Sequence, residues 1–248
     1  MSPFQAAVLG AVQGLTEFLP ISSSAHLYVV PTLLGWPYAG LAFDVALHWG
    51  TLLALLLAYG NVWIGLVRDA FSPDGAVRAV AWDTWFKLAA ASVPAAIAGL
   101  ALEDLASRAL RGLPIQAAML VIFGFLLWAV DRQKPAGRDV QIPDWRTCMT
   151  MGFAQALALV RGVSRSGITI TAGRAAGLSR VAAARFSFLL ATPITFGAGL
   201  VELRHLELDT SATALVVGIA TSAIVGLLAI RLLIRYLGRA GFGVFFAY

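Results

Sequence analysis

Charge is what this chain has least of. Of its 248 residues, Asp, Glu, Lys and Arg together supply 12%, where soluble domains run near ~25%, while 59% are hydrophobic and the mean hydropathy is +0.82. That imbalance excludes an ordinary water-soluble domain. There is one cysteine, Cys148, so neither an intramolecular disulfide nor a cysteine-rich metal site is available. Its thiol reads as a small hydrophobe. The N-terminus has no basic segment before its apolar run, and Gln13 and Glu17 interrupt that run, which argues against a secretory signal peptide. A net charge of +5 and a pI near 9.9 suit a positive-inside membrane protein and do not call for nucleic acid.

What the chain does have is apolar length. Membrane-spanning helices are expected over residues 41–66, 86–102, 115–130, 186–203 and 212–237, each approaching or exceeding the ~20 residues that cross a bilayer. The span over 115–130 is short and needs tilt or local thinning. Pro94 is expected to kink the one over 86–102. Polar connections separate them: a charged loop with Arg68, Asp69, Asp74, Arg78 and Asp83, a turn with Glu103, Asp104, Arg108 and Arg111, and the hydrophilic stretch 131–146 around Lys134-Pro135-Ala136-Gly137. Asp44 and His48, at i and i+4 near the start of the first span, either line a polar site or satisfy each other.

Against this background an ionisable group at bilayer depth is a functional-site candidate, because burying it there costs a few kcal/mol even on lenient scales. Gln13-Gly-Leu-Thr-Glu-Phe-Leu-Pro-Ile-Ser-Ser-Ser-Ala-His26 concentrates such groups. Gln13 and Glu17 share one helical face. Pro20 ends that helix, and Ser22, Ser23 and Ser24 suit the cap of a second one. His26 falls in the first turns of that second helix, on the face of Ser22 or Ser23. The two legs, 4–19 and 25–34, look like a re-entrant hairpin over residues 4–34, the second being far too short to span. Such irregular backbone is tolerated only where protein or water lines it.

The opening recurs after the 131–146 divide. Gly10-Ala-Val-Gln13 aligns with Gly152-Phe-Ala-Gln155, and Ile21-Ser-Ser-Ser24 with Val163-Ser-Arg-Ser166, both at an offset of 142 residues. Phe43-Asp-Val-Ala-Leu47 falls on Phe186-Ser-Phe-Leu-Leu190 with one residue more. A shared offset over three blocks argues for an internal duplication. The fold expected is an all-α polytopic membrane protein in a single membrane domain. Its first repeat, 1–130, has the hairpin 4–34 and three spans. The second, 147–248, has a hairpin over 148–178, the spans 186–203 and 212–237, and the start of a final helix that the sequence does not complete. A hairpin plus three spans crosses an odd number of times, so the second copy is inverted, and short Gly-interrupted segments at matching places point to a midplane site. One side collects Arg68, Arg78, Arg132, Lys134, Arg138, Arg146, Arg231, Arg235 and Arg239 and the other Arg108, Arg111 and Arg204, so the first is expected to be cytoplasmic. The first hairpin then opens outward.

The second hairpin adds Arg165, set between Ser164 and Ser166 and followed by Gly167. A guanidinium beside exposed backbone N–H groups is a phosphate-binding arrangement. Ser164 and Ser166 either join it or only cap a helix. Arg174, Arg180 and Arg185 either join the phosphate site, face lipid head groups or close ion pairs. Across the repeat axis Arg165 would face Glu17, the serines and His26. Acid or base, hydroxyl nucleophile, imidazole and anion clamp are the parts phosphoryl transfer uses. Ser23 is the candidate nucleophile, with Glu17 or His26 taking its proton.

These motifs, with Gly162-Val-Ser-Arg-Ser-Gly-Ile-Thr-Ile170, Phe43-Asp-Val-Ala-Leu-His-Trp-Gly50 and Phe186-Ser-Phe-Leu-Leu-Ala-Thr-Pro193, resemble the undecaprenyl-diphosphate phosphatase family of the bacitracin-resistance type over nearly the whole chain. The resemblance implies an integral enzyme of bacterial inner membranes built from two interlocked inverted repeats. It would hydrolyse undecaprenyl diphosphate to undecaprenyl phosphate and inorganic phosphate, regenerating the lipid carrier of peptidoglycan synthesis, with its site facing the periplasm. It implies catalytic roles for Glu17, Ser23, His26 and Arg165, and substrate contacts from Gln13, Ser22, Ser24, Ser164, Ser166, Gly167 and Thr169. A divalent cation, Mg²⁺ or Ca²⁺, would be held at Glu17. The expected partners are the polyprenyl diphosphate and membrane lipids, with a homodimer left open and no nucleic acid. Three positions depart from the family pattern: Ser24-Ala25 stands for Thr-Gly, Arg161 for a proline, and Gln13 for a carboxylate. The alternative function is a lipid-phosphate or anion transporter, since broken helices in inverted repeats also build transporters.

Overall fold

The computed structural model describes residues 1–101, 112–134, 136–202 and 211–248, and these form α-helices without a β-strand. The expectations at Leu102, Glu103, Asp104, Arg108, Arg111, Pro135, Leu203 and Arg204 lie outside the described residues. In chain order the helices are α1 (Pro3–Phe18), α2 (Ser23–Leu33), α3 (Leu41–Ala58), α4 (Gly60–Ala70), α5 (Gly75–Ala101) and α6 (Leu113–Gln133). They continue as α7 (Trp145–Ala156), α8 (Arg165–Ala175), α9 (Arg180–Glu202), α10 (Ala212–Leu237) and the short α11 (Gly243–Ala247), with a 3₁₀ turn at Leu157–Leu159 between α7 and α8. Five of these, α3, α5, α6, α9 and α10, are long and apolar enough to cross a membrane. The protein is therefore a multi-pass membrane protein. Phe86, Ile97, Val121, Val216, Ile224 and Leu232 are exposed on the spans, as a lipid-facing surface requires.

Two expected boundaries move. The run 41–66 is broken after Ala58: Tyr59 leaves helical geometry at φ −112°, ψ 19°, and α4 starts afresh at Gly60. Glycine is the weakest helix former after proline, and the Tyr59 ring turns in against Phe188, at a centroid distance of 6.4 Å. The run 86–102 starts earlier, because Arg78 and Asp83 are helical in α5 rather than in a loop. Asp83 accepts from Lys87 one turn on, at 2.7 Å, and from the Trp145 indole, at 2.7 Å, so this polar end of the helix has its own partners. Pro94 lies inside α5 without ending it.

α1 lies on α10 through glycines. A Cβ on Gly10 would collide with the Gly218 carbonyl, and one on Gly14 with the Ser222 carbonyl. α3 meets the same helix at Gly50, against the Ile219 carbonyl. Without a hydrophobic drive between helices in lipid, close backbone approach of this kind supplies the packing. In the second half α7 meets α5 at Gly152, against the Ala91 backbone. The buried core gathers Phe18, Phe186, Phe188, Met151 and Cys148 among others, with Phe18 and Phe188 edge-to-face at 5.4 Å.

A buried charge cluster ties α6, α8 and α9 together. Asp131, at the end of α6, accepts from Arg174 Nε at 2.9 Å and from Arg180 Nε at 2.8 Å. Arg174 is fully buried and also donates to the Leu178 carbonyl. Of the roles open to Arg174 and Arg180, the structure shows ion pairing.

Candidate active site

α1 ends at Phe18, and the chain turns through Leu19–Ser22 before α2. Ser22 occupies the N-cap position of α2 at φ 67°, ψ 98°, the single non-glycine residue with positive φ among the described residues. Such a conformation costs on the order of 1–3 kcal/mol and has to be held from outside. His26, one turn on, holds it: its Nδ1–H donates to the Ser22 carbonyl at 2.8 Å. The expected side-chain cap is absent, since the Ser22 hydroxyl pairs with Ser24 Oγ at 3.3 Å instead. The first N–H groups of α2 therefore keep their capacity to meet an anion.

α8 starts at Arg165 in the same place. Ser164 is its N-cap, with Oγ accepting from Gly167 N at 3.2 Å, and it pairs with Ser166 Oγ at 3.1 Å. Gly162, at φ 96°, turns the chain into this helix with its α-carbon against the Gln116 backbone, where no side chain fits. Arg161, next to it, lies beside Tyr38 and Asp44.

The two turns meet at Glu17. Its Oε1 accepts from Arg165 Nη2 at 2.7 Å, and its Oε2 from the Ser23 hydroxyl at 2.6 Å and from Gln13 Nε2 at 3.2 Å. His48 Nε2 stands 3.6 Å from Oε2. The Glu17 side chain is 7% exposed and Arg165 15%. A cavity of about 350 Å³ opens beside them, lined by the polar residues Glu17, the three serines, His48, Gln155, Ser164 and Arg165 and by the apolar residues Leu41, Val45, Trp49, Ile194 and Ala198. Polar atoms stand without partners around it. Arg165 Nη1 and both amide atoms of Gln155 on its wall, and Gln13 Oε1 next to Glu17 but off the wall, are buried and make no hydrogen bond among the described residues. Buried groups of this kind find partners, and a ligand carrying several acceptor oxygens would supply them.

The structure brings together Gln13, Glu17, Ser22, Ser23, Ser24, Ser164 and Arg165. Gln13 joins through Glu17 without lining the cavity, and the other four expected residues do not reach it. His26 turns away from Glu17, its Nε2 accepting from the Tyr248 hydroxyl at 3.0 Å, because one helical turn carries its ring onto the Ser22 carbonyl. Ser166 is fully buried and donates to the Leu19 carbonyl at 3.2 Å, which ties the two hairpins. Gly167 packs on Ser164 and Pro20. Thr169 bonds Ser187 at 2.6 Å, bracing α8 on α9.

Two wall residues were not among the expected site residues. His48, left open between two roles, reaches the site, with its Nδ1–H fixed on the Asp44 carbonyl at 2.7 Å. The Asp44 carboxylate accepts instead from the Tyr38 hydroxyl at 2.7 Å. Burial, then the Asp44 carboxylate beside it, raises the Tyr38 phenol above its ordinary value. Gln155 was visible only through the 142-residue offset, which places it opposite Gln13.

Among the described residues no three His, Cys, Asp or Glu side chains cluster as a metal cage. Mg²⁺ needs less than that: one or two carboxylates, with substrate phosphate and water completing its shell. Glu17 and the unpartnered Gln13 Oε1 fit that smaller requirement.

The apolar spans and this buried polar cavity define a polytopic helical membrane protein with an internal anion-competent site. The model of one family, bacitracin resistance protein BacA, matches residues 6–248. The chain is 46% identical over 248 residues to an undecaprenyl-diphosphatase of Pelotomaculum thermopropionicum, an alignment covering 100% of this chain and 93% of the relative. It is 44% identical over 254 residues to the Desulforudis audaxviator protein of that name and 45% over 251 to that of Gemmatimonas aurantiaca, covering 100% of this chain and 94% of each relative. The chain belongs to the BacA family of bacitracin resistance proteins.

Proposed function

We propose that this chain hydrolyses undecaprenyl diphosphate to undecaprenyl phosphate and inorganic phosphate. That activity recycles the carrier lipid of peptidoglycan synthesis and underlies bacitracin resistance. The observation that carries the reading is the convergence of Arg165 and Ser23 on the two oxygens of one buried carboxylate, Glu17. The names of the relatives give the substrate.

In the mechanism we favour, Ser23 Oγ attacks the terminal phosphorus. Its proton passes to Glu17 Oε2, already 2.6 Å away. The bond from that phosphorus to the bridging oxygen breaks, and the lipid monophosphate leaves with the electron pair. Water then attacks the seryl phosphate, the P–Oγ bond breaks, and Ser23 recovers its proton as inorganic phosphate departs. Arg165 neutralises the terminal oxygens, for which its planar fork offers paired N–H donors, while the N–H groups opening α2 receive others. His26 is a positioning residue, acting through the Ser22 turn. The apolar lining of the cavity takes the first carbons of the prenyl chain.

A divalent cation, Mg²⁺ or Ca²⁺, would be held by Glu17 and Gln13. Bound there, it would supply positive charge against the diphosphate.

The same reading places the protein in a bacterial inner membrane with the site opening to the periplasm, supported by the bias of basic residues toward the opposite side. It also takes the halves as interlocked inverted repeats. Three features support this. Ser22–Ser24 and Ser164–Ser166 form the same hydroxyl pair in both halves. Ser23 and Arg165 are equivalent positions that both bind Glu17. Gly10 packs α1 on a span of the second half, and Gly152 packs α7 on a span of the first. The two hairpins then form the re-entrant elements.

Proteoliposomes separate this reading from transport. Phosphate release from undecaprenyl diphosphate without net lipid translocation is expected. Vectorial movement of the lipid phosphate with no phosphate released would overturn hydrolysis.

A further inference from the structure

A second cavity, of about 890 Å³, opens at the opposite ends of α3 and α9 from Glu17. On α9 the active-site wall begins at Ile194 and the second cavity ends at Leu189, about 7–8 Å farther along the helix axis. Between the two lie the fully buried rings of Phe18 and Phe188, with Phe188 also against Tyr59. The second cavity is therefore separate from the first.

Its lining is mixed in a particular way. Val77 and Val80, on α5, expose apolar surface at its edge. Inside, Arg185 is half-buried and makes no hydrogen bond or ion pair among the described residues. Its charge is close enough to act on Tyr59. The acidic lining group, Asp69, is already taken by Arg68 at 2.9 Å. Asn61 and Gln141, both solvent-exposed, also line the cavity. An unpaired, half-buried guanidinium beside apolar surface in a cavity of ligand size matches an anion that carries an apolar chain.

We propose that this cavity binds the phosphate head group of an anionic lipid, with Arg185 as its anchor and the chain leaving past Val80. The phosphate is either the diester of a bilayer phospholipid or the monoester of a phosphorylated lipid. The proposal does not rest on hydrolysis at Glu17 and is tested by binding alone.

Native mass spectrometry of the detergent-purified full chain, titrated with dodecyl phosphate, reads both cavities at once. The parent protein is expected to bind two molecules and Arg165→Ala one. In the Arg165→Ala background, Arg185→Ala and the similarly sized Arg185→Gln are both expected to weaken the remaining site by roughly tenfold or more, the loss of charge-assisted hydrogen bonds. Arg185→Lys should fall between. Dioctanoyl phosphatidylglycerol competing for that site identifies a bilayer diester as the ligand, and failure to compete identifies a monoester. The proposal is overturned if Arg185→Gln keeps the second molecule at full affinity, or if dodecanol binds as well as dodecyl phosphate.

Discussion

Arg165 Nη2 and Glu17 Oε1 meet at 2.7 Å across 148 positions of sequence, whereas the fully buried Arg174 is paired with Asp131 away from the cavity. Glu17 stands at the end of one hairpin's first leg and Arg165 opens the second leg of the other. The pair therefore exists only when both helical hairpins are docked, and it fixes the proposed catalytic carboxylate and the proposed phosphate clamp together.

Ser23 separates two chemistries. As nucleophile, its replacement in Ser23→Ala abolishes turnover, and the parent transfers phosphate to an added alcohol through the seryl phosphate. A serine that only hydrogen-bonds the phosphate would leave about a hundredth to a tenth of the rate, roughly 1.4–2.7 kcal/mol. Single-turnover measurement of phosphate release distinguishes them. Residual turnover in that range, with inversion at a chiral phosphorus, contradicts the serine mechanism.

The two histidines act differently and should fail differently. His26→Ala frees the positive-φ Ser22 turn and is expected to lower kcat by at least about a hundredfold, about 2.7 kcal/mol. Tyr248→Phe removes only the outer hydrogen bond of His26 and should stay within a few-fold of the parent. His48→Gln offers Glu17 an N–H and should retain more activity than His48→Ala. Steady-state kinetics on all four variants checks the ranking.

Asp131 carries stability rather than chemistry. Asp131→Asn leaves Arg174 and Arg180 without their anion, a change that costs about 3–5 kcal/mol when a buried pair is broken. Thermal unfolding in detergent should show a clear fall in midpoint. Phosphate release per folded molecule, measured well below that midpoint, should remain within a few-fold of the parent.

The α1–α10 contact has no room for a side chain. A Cβ at Gly14 would stand 2.6 Å from the Ser222 carbonyl oxygen and 2.7 Å from Gly226 N. Gly14→Leu should abolish recovery of folded protein by size exclusion. Gly197→Ala, where nothing lies within 4 Å, should not.

Much of this was legible in the chain, and the parts that were not share a cause. Pro20 and the short second leg gave away the first hairpin, and Arg165 stood out because a guanidinium between two serines has few structural reasons to be there. Helical spacing placed His26 on the right face. It could not say that Tyr248, 222 positions later, would take the ring. Arg174 looked like any basic residue near a helix end, because its partner Asp131 lies 43 positions earlier in a polar connection. At the break the Tyr59 ring packs on Phe188, again a distant neighbour. Gln155 has no local signal at all, and only the 142-residue offset points to it. What sequence leaves out is long-range pairing.

The most direct test is inorganic phosphate released from undecaprenyl diphosphate by the detergent-purified chain, with Arg165→Ala and Arg165→Lys beside it. The account predicts one phosphate per lipid from the parent, a loss of at least about a thousandfold in Arg165→Ala, about 4 kcal/mol, and most of that loss in Arg165→Lys, since an ammonium lacks the planar fork. No phosphate from the parent, or release by Arg165→Ala at the parent rate, would contradict it.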